Sequence, residues 1–555
     1  MNVSDYIVRF LKAVGVRQVF GYPGTPILPF MAALERQSDI EWVLMRHENA
    51  AAMAASAQAR LTGELTVCMA TSGPGSANFI CGLVDAQLDR APVLALTGLV
   101  PTYNQGHSEF QDINQAQLLS TVLPMSNSCV HPRQLVPLLR NSVGFAWQNQ
   151  QTAHLALSSD VLNAQIADDD SLFAIDVDYL PRPLRLMPPP EEAFNLVADE
   201  LMNSHQVVIV VGRRAVGCGA SITQLAEKLG APIITSLDGK GIVDETHAHT
   251  LGVLGIFGLP GVESTKQIIR QADAILAFGV DTLKPFLTDA DNAQRRKLIQ
   301  CEAGFNTISL EYRRTRTLVG PLETIAERLA YRVGVRQAMN PLLMDSFTSR
   351  QVHLQEVAEL NTNGGNSNYV HPAYFLTRLN RFLDETSMLV LDTGAHTVWA
   401  ARYLQLAHQQ PVIVSSHLGT MGFSLPALIG IQMARPNHRA VGISGDGGFQ
   451  MVMGELATAV QNKLPIILII FSNGVLQNVR TQQDIPFGTY LYNPDFVALA
   501  KAFGADSALI DGQTDIDTVL TQAFAKRDRP FLLECKIDPE LEIPLSRWER
   551  LVAVH

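Results

Sequence analysis

The feature that most constrains the fold is an alternation of strand and helix in the segment from Leu418 to Asn478. One apolar strand runs into Ser444-Gly445-Asp446-Gly447-Gly448, and a helical pattern begins near Phe449. A second apolar strand, Pro465–Phe471, runs into Ser472-Asn473-Gly474. This βαβ pattern predicts two parallel strands whose carboxyl ends meet at one edge of a sheet.

Two polar residues follow these strands. Asp446 and Asn473 are 27 positions apart, which is about the length of one crossover. A carboxylate and an amide oxygen suit Mg²⁺, which shares its octahedron with phosphate oxygens and water. Gly445, Gly447 and Gly448 let backbone N–H groups approach a diphosphate at the start of the helix, where the dipole favours anions. An ordinary Rossmann-like turn is the alternative interpretation of this segment alone.

Composition narrows the class of protein. A chain of 555 residues should form about three domains, and 47% hydrophobic against 17% charged residues indicates a well-buried globular protein. The net charge of −11 argues against nucleic acid as a partner. The chain begins with an amphipathic helix pattern rather than a signal peptide, and no apolar run reaches membrane-spanning length. The six scattered cysteines favour reduced thiols in a cytoplasmic protein.

The chain divides into three blocks, residues 1–180, 191–335 and 369–555. A proline-rich stretch, 181–190, and a polar run, 361–368, mark the boundaries. Each block alternates helical and apolar strand patterns, so the predicted fold class is α/β with three doubly wound parallel-sheet domains.

The Gly-Asp-Gly turn followed by Asn473 resembles the signature of thiamine-diphosphate-dependent enzymes, although Ser472 replaces the first Asn of their Asn-Asn pair. The resemblance covers nearly the whole chain. It is closest to the acetolactate synthase and pyruvate oxidase group, since residues 19–24 are similar to the first and residues 397–403 to the second. It implies an N-terminal pyrimidine-binding domain, a central FAD-type, Rossmann-like domain and a C-terminal diphosphate-binding domain. It also implies the cofactors thiamine diphosphate and Mg²⁺, with Asp446, Asn473 and Val475 as metal ligands.

The resemblance also assigns cofactor contacts in the C-terminal domain. Met421 would lie under the bend of the cofactor, the Gly419 carbonyl would meet its 4′-amino group, and His396 would contact phosphate. Ala395 stands where many relatives have Gln, so one phosphate contact is missing. The full predicted set in this domain is Gly394, His396, Gly419, Met421, Gly445, Asp446, Gly447, Gly448, Asn473 and Val475.

Glu48 is the predicted acid–base residue. It precedes an alanine-rich helix, Ala50–Arg60, where the alternative role of a Glu is to stabilise the helix dipole. The resemblance implies instead that its carboxyl group exchanges a proton with N1′ of the aminopyrimidine, a role that a partly desolvated carboxyl suits. In this family that Glu and the diphosphate site come from different subunits. The expected assembly is therefore a homodimer or homotetramer with active sites between subunits.

Other N-terminal residues are assigned in the same way. Ser72, Gly73 and Asn78 belong to a segment that packs around the pyrimidine, and Gly24 is counted with them as a cofactor contact. Gln111 is the second predicted catalytic residue and would face the reacting centre; a surface amide is the alternative.

The implied reaction is decarboxylation of pyruvate or a similar 2-oxo acid, followed by C–C bond formation with a second carbonyl acceptor. Simple decarboxylases often carry histidines that protonate the product, whereas Ala70-Thr71-Ser72 stands at the matching position. An FAD-dependent pyruvate oxidase and a non-catalytic binding protein of the same fold are the alternatives. Residues 212–214 and 255–258 could face FAD, but Lys284 replaces the usual Arg, so FAD is left open.

Two further expectations concern the substrate and the membrane. Gln477, Val479, Arg480 and Gln483 would lie near the substrate, and Arg480 is either a carboxylate contact or a solvated helix residue. Little sequence follows the strand Pro530–Cys535, and the segment 545–550 is too short to bury a sizeable apolar face in lipid. No membrane partner is expected.

Overall fold

The structure is a computed structural model of the chain. It describes every residue except 38, 168–169, 177–179, 182–185, 255–262, 284–295, 309–315, 338–339, 363–367, 408–410 and 545–555, and it leaves out the side chains of 263, 264, 266 and 360–362. Three sheets account for the named strands, and each consists of six parallel strands. The predicted α/β class with three parallel sheets is therefore confirmed.

The first sheet has the strand order β2-β1-β3-β4-β6-β5. Its strands are β1 (Gln18–Gly21), β2 (Glu41–Leu44), β3 (Thr66–Ala70), β4 (Val93–Leu99), β5 (Met125–Cys129) and β6 (Ala153–Ser158). The helices around it are α1 (Val3–Ala13), α2 (Leu28–Glu35), α3 (Glu48–Thr62), α4 (Pro74–Asn78), α5 (Ile80–Leu88), α6 (Gln115–Ser120), α7 (Pro132–Asn149) and α8 (Ser159–Asn163).

The second sheet has the order β12-β11-β10-β7-β8-β9. Its central pair is β10 and β7, and later strands are added toward each edge. Its strands are β7 (Val207–Val211), β8 (Ile233–Thr235), β9 (Thr250–Val253), β10 (Ala274–Phe278), β11 (Lys297–Glu302) and β12 (Arg316–Val319). Its helices are α9 (Glu191–Met202), α10 (Gly219–Leu229), α11 (Glu263–Gln271), α12 (Leu322–Arg332) and α13 (Pro341–Thr362).

The third sheet has the order β14-β13-β15-β16-β18-β17 and so repeats the topology of the first. Its strands are β13 (Ser387–Leu391), β14 (Ile413–Val414), β15 (Arg439–Gly445), β16 (Ile467–Ser472), β17 (Asp506–Ile510) and β18 (Phe531–Lys536). Its helices are α14 (Pro372–Leu379), α15 (Ala395–Tyr403), α16 (Ser424–Ala434), α17 (Asp446–Val452), α18 (Glu455–Gln461), α19 (Gln477–Arg480), α20 (Phe496–Phe503) and α21 (Ile516–Ala525).

The central strands are apolar because helices cover both faces of each sheet. Every residue of β16 is buried, which explains its continuous apolar sequence. Helix α17 begins at Asp446, three residues before the predicted start at Phe449. Its first turn contains Gly447 and Gly448, which let the backbone come close to the sheet edge because they have no side chain. Gly447 N donates to Asp446 Oδ1 at 2.8 Å.

Helix α3 of the first domain packs against α16 of the third. Its buried alanines keep the two backbones close, and both helices contribute to one apolar core that spans the two domains. No helix in the described part of the chain is long and apolar enough to cross a membrane.

Candidate active site

Asp446 lies where the carboxyl ends of β15 and β16 are side by side, and it is 3% exposed. Its Oδ2 accepts hydrogen bonds from the backbone N–H of Asn473 at 3.0 Å and of Gly474 at 2.6 Å. Asn473 Oδ1 in turn accepts from Val475 N at 3.0 Å. The structure thus brings together the three residues predicted as metal ligands. Their role as ligands stays a prediction.

Asn493 also holds this carboxylate, and the sequence analysis missed it. Its Nδ2 donates to Asp446 Oδ2 at 2.7 Å and to Ser472 Oγ at 3.2 Å. Gln450 Nε2 donates to Asn493 Oδ1 at 2.9 Å, so the amide is fixed from both ends. Asn493 lies in a loop 47 positions after Asp446, and no local motif marks it.

Asp392, at the end of β13, organises the turn that precedes α16. Its Oδ1 accepts from Gly422 N at 2.9 Å and from Thr393 N at 2.7 Å, and its Oδ2 accepts from Ser444 Oγ at 2.9 Å. Burial raises the pKa of Asp392, while these hydrogen bonds lower it. The carboxylate therefore ties the strand end to the turn that carries Met421. Its position after an apolar strand was the available signal, but the sequence analysis did not assign it a role.

A cavity of about 240 Å³ opens beside Asp446. The residues predicted as cofactor contacts in the C-terminal domain all line it, together with apolar side chains of Leu476, Val479, Leu541 and Ile543. The glycines are needed for its shape: a Cβ on Gly448 would lie 3.0 Å from Asp392 Oδ2, and one on Gly445 would lie 3.1 Å from the His396 ring. A backbone-lined cavity of this kind suits phosphate groups.

Several buried polar atoms around this cavity have no hydrogen-bond partner among the described residues. They are His396 Nε2, Thr393 Oγ1, Gln477 Oε1 and Asn478 Oδ1. Burial lowers the pKa of His396 to about 4, so the imidazole is neutral at pH 7. Buried polar atoms normally have partners, so this set indicates a polar ligand in the cavity.

A second group of predicted residues lies in the first domain. Glu48 is the first residue of α3, is 7% exposed, and accepts a hydrogen bond at Oε2 from Asn78 Nδ2 at 3.0 Å. Gly75 approaches it closely, because a Cβ there would lie 3.4 Å from Glu48 Oε1. Glu48 is therefore a buried residue at the start of the alanine-rich helix, and the Asn78 amide, which the sequence analysis did not assign to it, holds its carboxylate.

Gln111 and Ser72 meet in the same region. Ser72 Oγ donates to Gln111 Oε1 at 3.1 Å. Gln111 has a positive φ of 64°, and a Cβ on Gly73 would lie 2.9 Å from the Gln111 Cβ. Gly24 is packed against Thr71 at the same sheet edge, where only a glycine fits. The predicted N-terminal residues are thus neighbours, and their contacts with a cofactor stay predictions.

The two groups of residues do not line one common cavity in the described part of the chain. All lining residues of the cavity beside Asp446 lie between Pro372 and Ile543, and none of the described residues of the first domain lines it. Glu48 therefore does not line the Asp446 cavity of its own chain.

Arg480 binds the chain segment that follows β18. Its Nη1 donates to the Pro539 carbonyl at 3.0 Å, and its Nη2 donates to the Glu540 carboxylate at 2.7 and 2.9 Å. Gln477 Nε2 donates to the Leu541 carbonyl of the same segment at 3.1 Å. Arg480 therefore helps to fix one wall of the cavity, and a contact between Arg480 and substrate stays a prediction.

A larger cavity of about 570 Å³ lies at the carboxyl edge of the second sheet. Arg213 and Arg214 line it, and both pair with the Asp281 carboxylate. Arg214 also donates to Glu302 at 2.7 Å. Of the expected flavin-facing residues, Arg213 and Arg214 thus line a cavity, whereas 255–258 and Lys284 lie outside the described residues. The expectation about the segment 545–550 falls outside them too.

Comparison with known proteins agrees with this arrangement. Three family models match, described as the N-terminal TPP binding domain, the central domain and the C-terminal TPP binding domain of thiamine pyrophosphate enzymes. They cover residues 1–118, 194–329 and 392–535 respectively.

Curated relatives cover almost the full chain. A probable acetolactate synthase large subunit from Methanocaldococcus jannaschii is 30% identical over 98% of this chain and 93% of its own length. The acetolactate synthase isozyme 2 large subunit of Escherichia coli is 32% identical over 98% and 96%. A putative thiamine pyrophosphate-containing protein from Bacillus subtilis is 29% identical over 98% and 93%.

Proposed function

The chain belongs to the thiamine pyrophosphate enzyme family, in its acetolactate synthase group, and on that premise we propose the following reaction. The enzyme binds thiamine diphosphate and Mg²⁺, decarboxylates pyruvate or a similar 2-oxo acid, and joins the remaining fragment to a second carbonyl compound. The observation that carries the proposal is the cavity where Asp446 and Asn473 meet beside unpartnered buried polar atoms.

The residues of this cavity fit the proposed cofactor and metal. Asp446, the Asn473 amide and the Val475 carbonyl are the hard oxygen donors that Mg²⁺ takes, and they leave positions for phosphate oxygens and water. The backbone of α17 and the unpartnered His396 Nε2 suit the phosphate groups. When bound, thiamine diphosphate supplies the carbon nucleophile that adds to the 2-oxo acid and accepts the electrons released with CO₂.

The residues of the protein would hold the cofactor in place and exchange a proton with it. Glu48 would exchange a proton at N1′ of the aminopyrimidine, which its buried position beside Asn78 supports. Met421 would support the bent cofactor on the turn that Asp392 fixes. Gln111, held by Ser72, would face the reacting carbon.

We propose that a second subunit completes each site. Large exposed apolar side chains lie close in the sequence to both groups of predicted residues, and exposed apolar surface of this kind is typical of protein interfaces. In the first domain they are Tyr22, Tyr103, Phe110 and Ile113; in the third they are Met451, Ile485, Phe487 and Tyr492. A homodimer, or a tetramer built from it, would cover both patches and would bring Glu48 of one subunit to the cavity of the other.

The test is CO₂ release from pyruvate and from a panel of 2-oxo acids, with thiamine diphosphate and Mg²⁺, in the presence and absence of an electron acceptor. The proposal predicts turnover without an added electron acceptor and a product in which a new C–C bond has formed. Turnover that requires the electron acceptor would support the pyruvate oxidase alternative instead. No turnover with any 2-oxo acid would leave the non-catalytic binding protein.

The flavin has its own measurement. The resemblance implies an FAD-type central domain, and the arginine-lined cavity of the second sheet has room for such a ligand, so the pyruvate oxidase alternative stays in the test. A visible absorption spectrum of the purified protein decides whether a flavin is bound. Flavin without dependence on an electron acceptor would agree with the carboligase.

A further inference from the structure

Glu455 is a buried acid that none of the predicted catalytic steps uses. It is the first residue of α18 in the third domain, nine positions after Asp446, and is 1% exposed. Its Oε1 accepts two hydrogen bonds from the first domain, from the backbone N–H of Arg46 and of His47, each at 2.9 Å. One carboxylate oxygen of the third domain thus binds two consecutive peptide groups of the first.

The other oxygen of Glu455 is also engaged. Oε2 accepts from Thr458 Oγ1 at 2.7 Å. Burial raises the pKa of Glu455, whereas the hydrogen bonds from Thr458, Arg46 and His47 lower it. Because every contact comes from an N–H or O–H donor, the side chain is held as an acceptor in one orientation.

The two peptide groups that Glu455 binds lie directly before Glu48. His47 is the N-cap of α3, and Glu48 is the first helical residue. N–H groups at the start of a helix lack intrahelical acceptors, so an external acceptor there determines where the chain enters the helix. Asn78 contacts the Glu48 carboxylate itself, whereas Glu455 fixes the backbone from which that side chain extends.

We propose that Glu455 is a positioning residue that sets the location of the Glu48 carboxylate by binding the N–H groups of Arg46 and His47. This inference rests on the proposed function, in which Glu48 exchanges a proton with the cofactor. A displacement of about 1 Å in a reacting group can cost about 10²-fold in rate. Loss of the Glu455 carboxylate should therefore slow proton exchange more than it weakens cofactor binding.

Four variants separate position from charge and from general packing. Glu455→Ala removes the acceptor. Glu455→Gln keeps an oxygen for both N–H groups, and its amide can donate to Thr458 Oγ1. Glu455→Asp keeps the charge but shortens the side chain. Gln461→Ala, on the same helix, is the control, because Gln461 binds the Arg46 guanidinium at 2.8 Å and not the peptide groups.

Three measurements apply to each variant: amide hydrogen–deuterium exchange at Arg46 and His47 without cofactor, thiamine diphosphate affinity, and deuterium exchange at cofactor C2. For Glu455→Ala we expect faster amide exchange, affinity near wild type, and C2 exchange slowed by about 10²-fold. Glu455→Gln and Gln461→Ala should stay near wild type. If Glu455→Ala does not fold, Glu455→Asp should show the same direction of change.

The proposal is overturned if Glu455→Ala, or Glu455→Asp in its place, exchanges C2–H at the wild-type rate. It is also overturned if Gln461→Ala slows C2–H exchange as much as Glu455→Ala does, since general packing would then explain the effect. The same holds if Glu455→Gln slows C2–H exchange as much as Glu455→Ala, since the charge would then explain it. Wild-type protein that binds thiamine diphosphate without accelerating C2 exchange would contradict the proposed function. The amide exchange, measured without cofactor, would still decide whether Glu455 holds the start of α3.

Discussion

Gly430 of α16 and Ala54 of α3 touch backbone to backbone across two domains. A Cβ built on Gly430 would overlap the carbonyl oxygen of Ala54 and also lie 2.8 Å from its carbonyl carbon. This contact lets the first and third domains share one core, and it fixes α3, the helix that begins at Glu48, against the domain that contains Asp446.

Gly430→Ala should therefore destabilise the protein. The added methyl group meets backbone rather than a flexible side chain, so the two helices must separate, at a cost of about 1–3 kcal/mol. Gly144→Ala is the matched control, because Gly144 lies inside α7 and no neighbouring atom of the described residues lies nearer than 3.8 Å to an added Cβ. It should be neutral or stabilise by up to about 1 kcal/mol. Urea midpoints of both variants test this, and equal midpoints would contradict it.

Asn493→Ala should weaken metal binding. Without the 2.7 Å hydrogen bond from Asn493 Nδ2, the Asp446 carboxylate is held less firmly. Loss of such a supporting contact typically lowers metal affinity by roughly 10–100-fold. Mg²⁺-dependent thiamine diphosphate binding, followed by fluorescence titration, measures the change. Gln450→Ala, which removes only a contact to Asn493, should have a smaller effect. An unchanged Mg²⁺ affinity in Asn493→Ala would refute the supporting role.

Glu48→Gln should keep cofactor binding and lose proton exchange. The amide can still hydrogen-bond N1′ but cannot exchange a proton with it, so C2–H exchange should slow by roughly 10²–10⁴-fold. A Glu that only stabilises the helix dipole predicts about 0.3–1 kcal/mol of lost stability and normal exchange. Deuterium exchange at C2, read by NMR after acid quench, separates the two. Normal exchange with cofactor bound would remove Glu48 from the mechanism.

The buried His154 should cause the free energy of unfolding of the protein to decrease in acid. It is fully buried between Thr97 Oγ1 at 2.8 Å and Ser126 Oγ at 2.7 Å, and burial lowers its pKa to about 3. The unfolded chain takes up a proton near pH 6.5 and the folded chain does not, so the stability contributed by neutral His154 is lost as pH falls from about 6.5 towards 3. The loss is about 1.4 kcal/mol for each pH unit in that window.

His154→Gln isolates this contribution, because an amide can bond both hydroxyl groups without titrating. The free energy of unfolding of wild type and variant is measured in urea at pH values of about 7, 5.5 and 4.5. Because only the wild type loses the His154 contribution in acid, its stability relative to the variant should fall as the pH is lowered. A constant difference across the three pH values would contradict the lowered pKa of His154, because the folded and unfolded chains would then bind protons equally at this residue.

Much of the active-site architecture was predictable from local sequence. Asp446 and Asn473 follow apolar strands one crossover apart, and parallel strands must deliver their carboxyl ends to one edge, so their meeting follows from spacing alone. The alanine-rich helix α3 and the parallel sheets were likewise visible in short-range pattern, although α3 begins at Glu48, two residues before the predicted Ala50. Local sequence determines these features because they depend on strand direction and helix period.

Only the tertiary structure decided which side chains support those residues. Asn493 reaches Asp446 from a loop, and Arg480 binds the Glu540 carboxylate in the segment that follows β18. Glu455 binds peptide groups 408 and 409 positions away in the sequence. Such contacts depend on how whole domains pack. A hydrogen bond between groups so far apart leaves no periodic or local signal in the sequence, because its geometry exists only after α18 has docked against the segment that precedes α3.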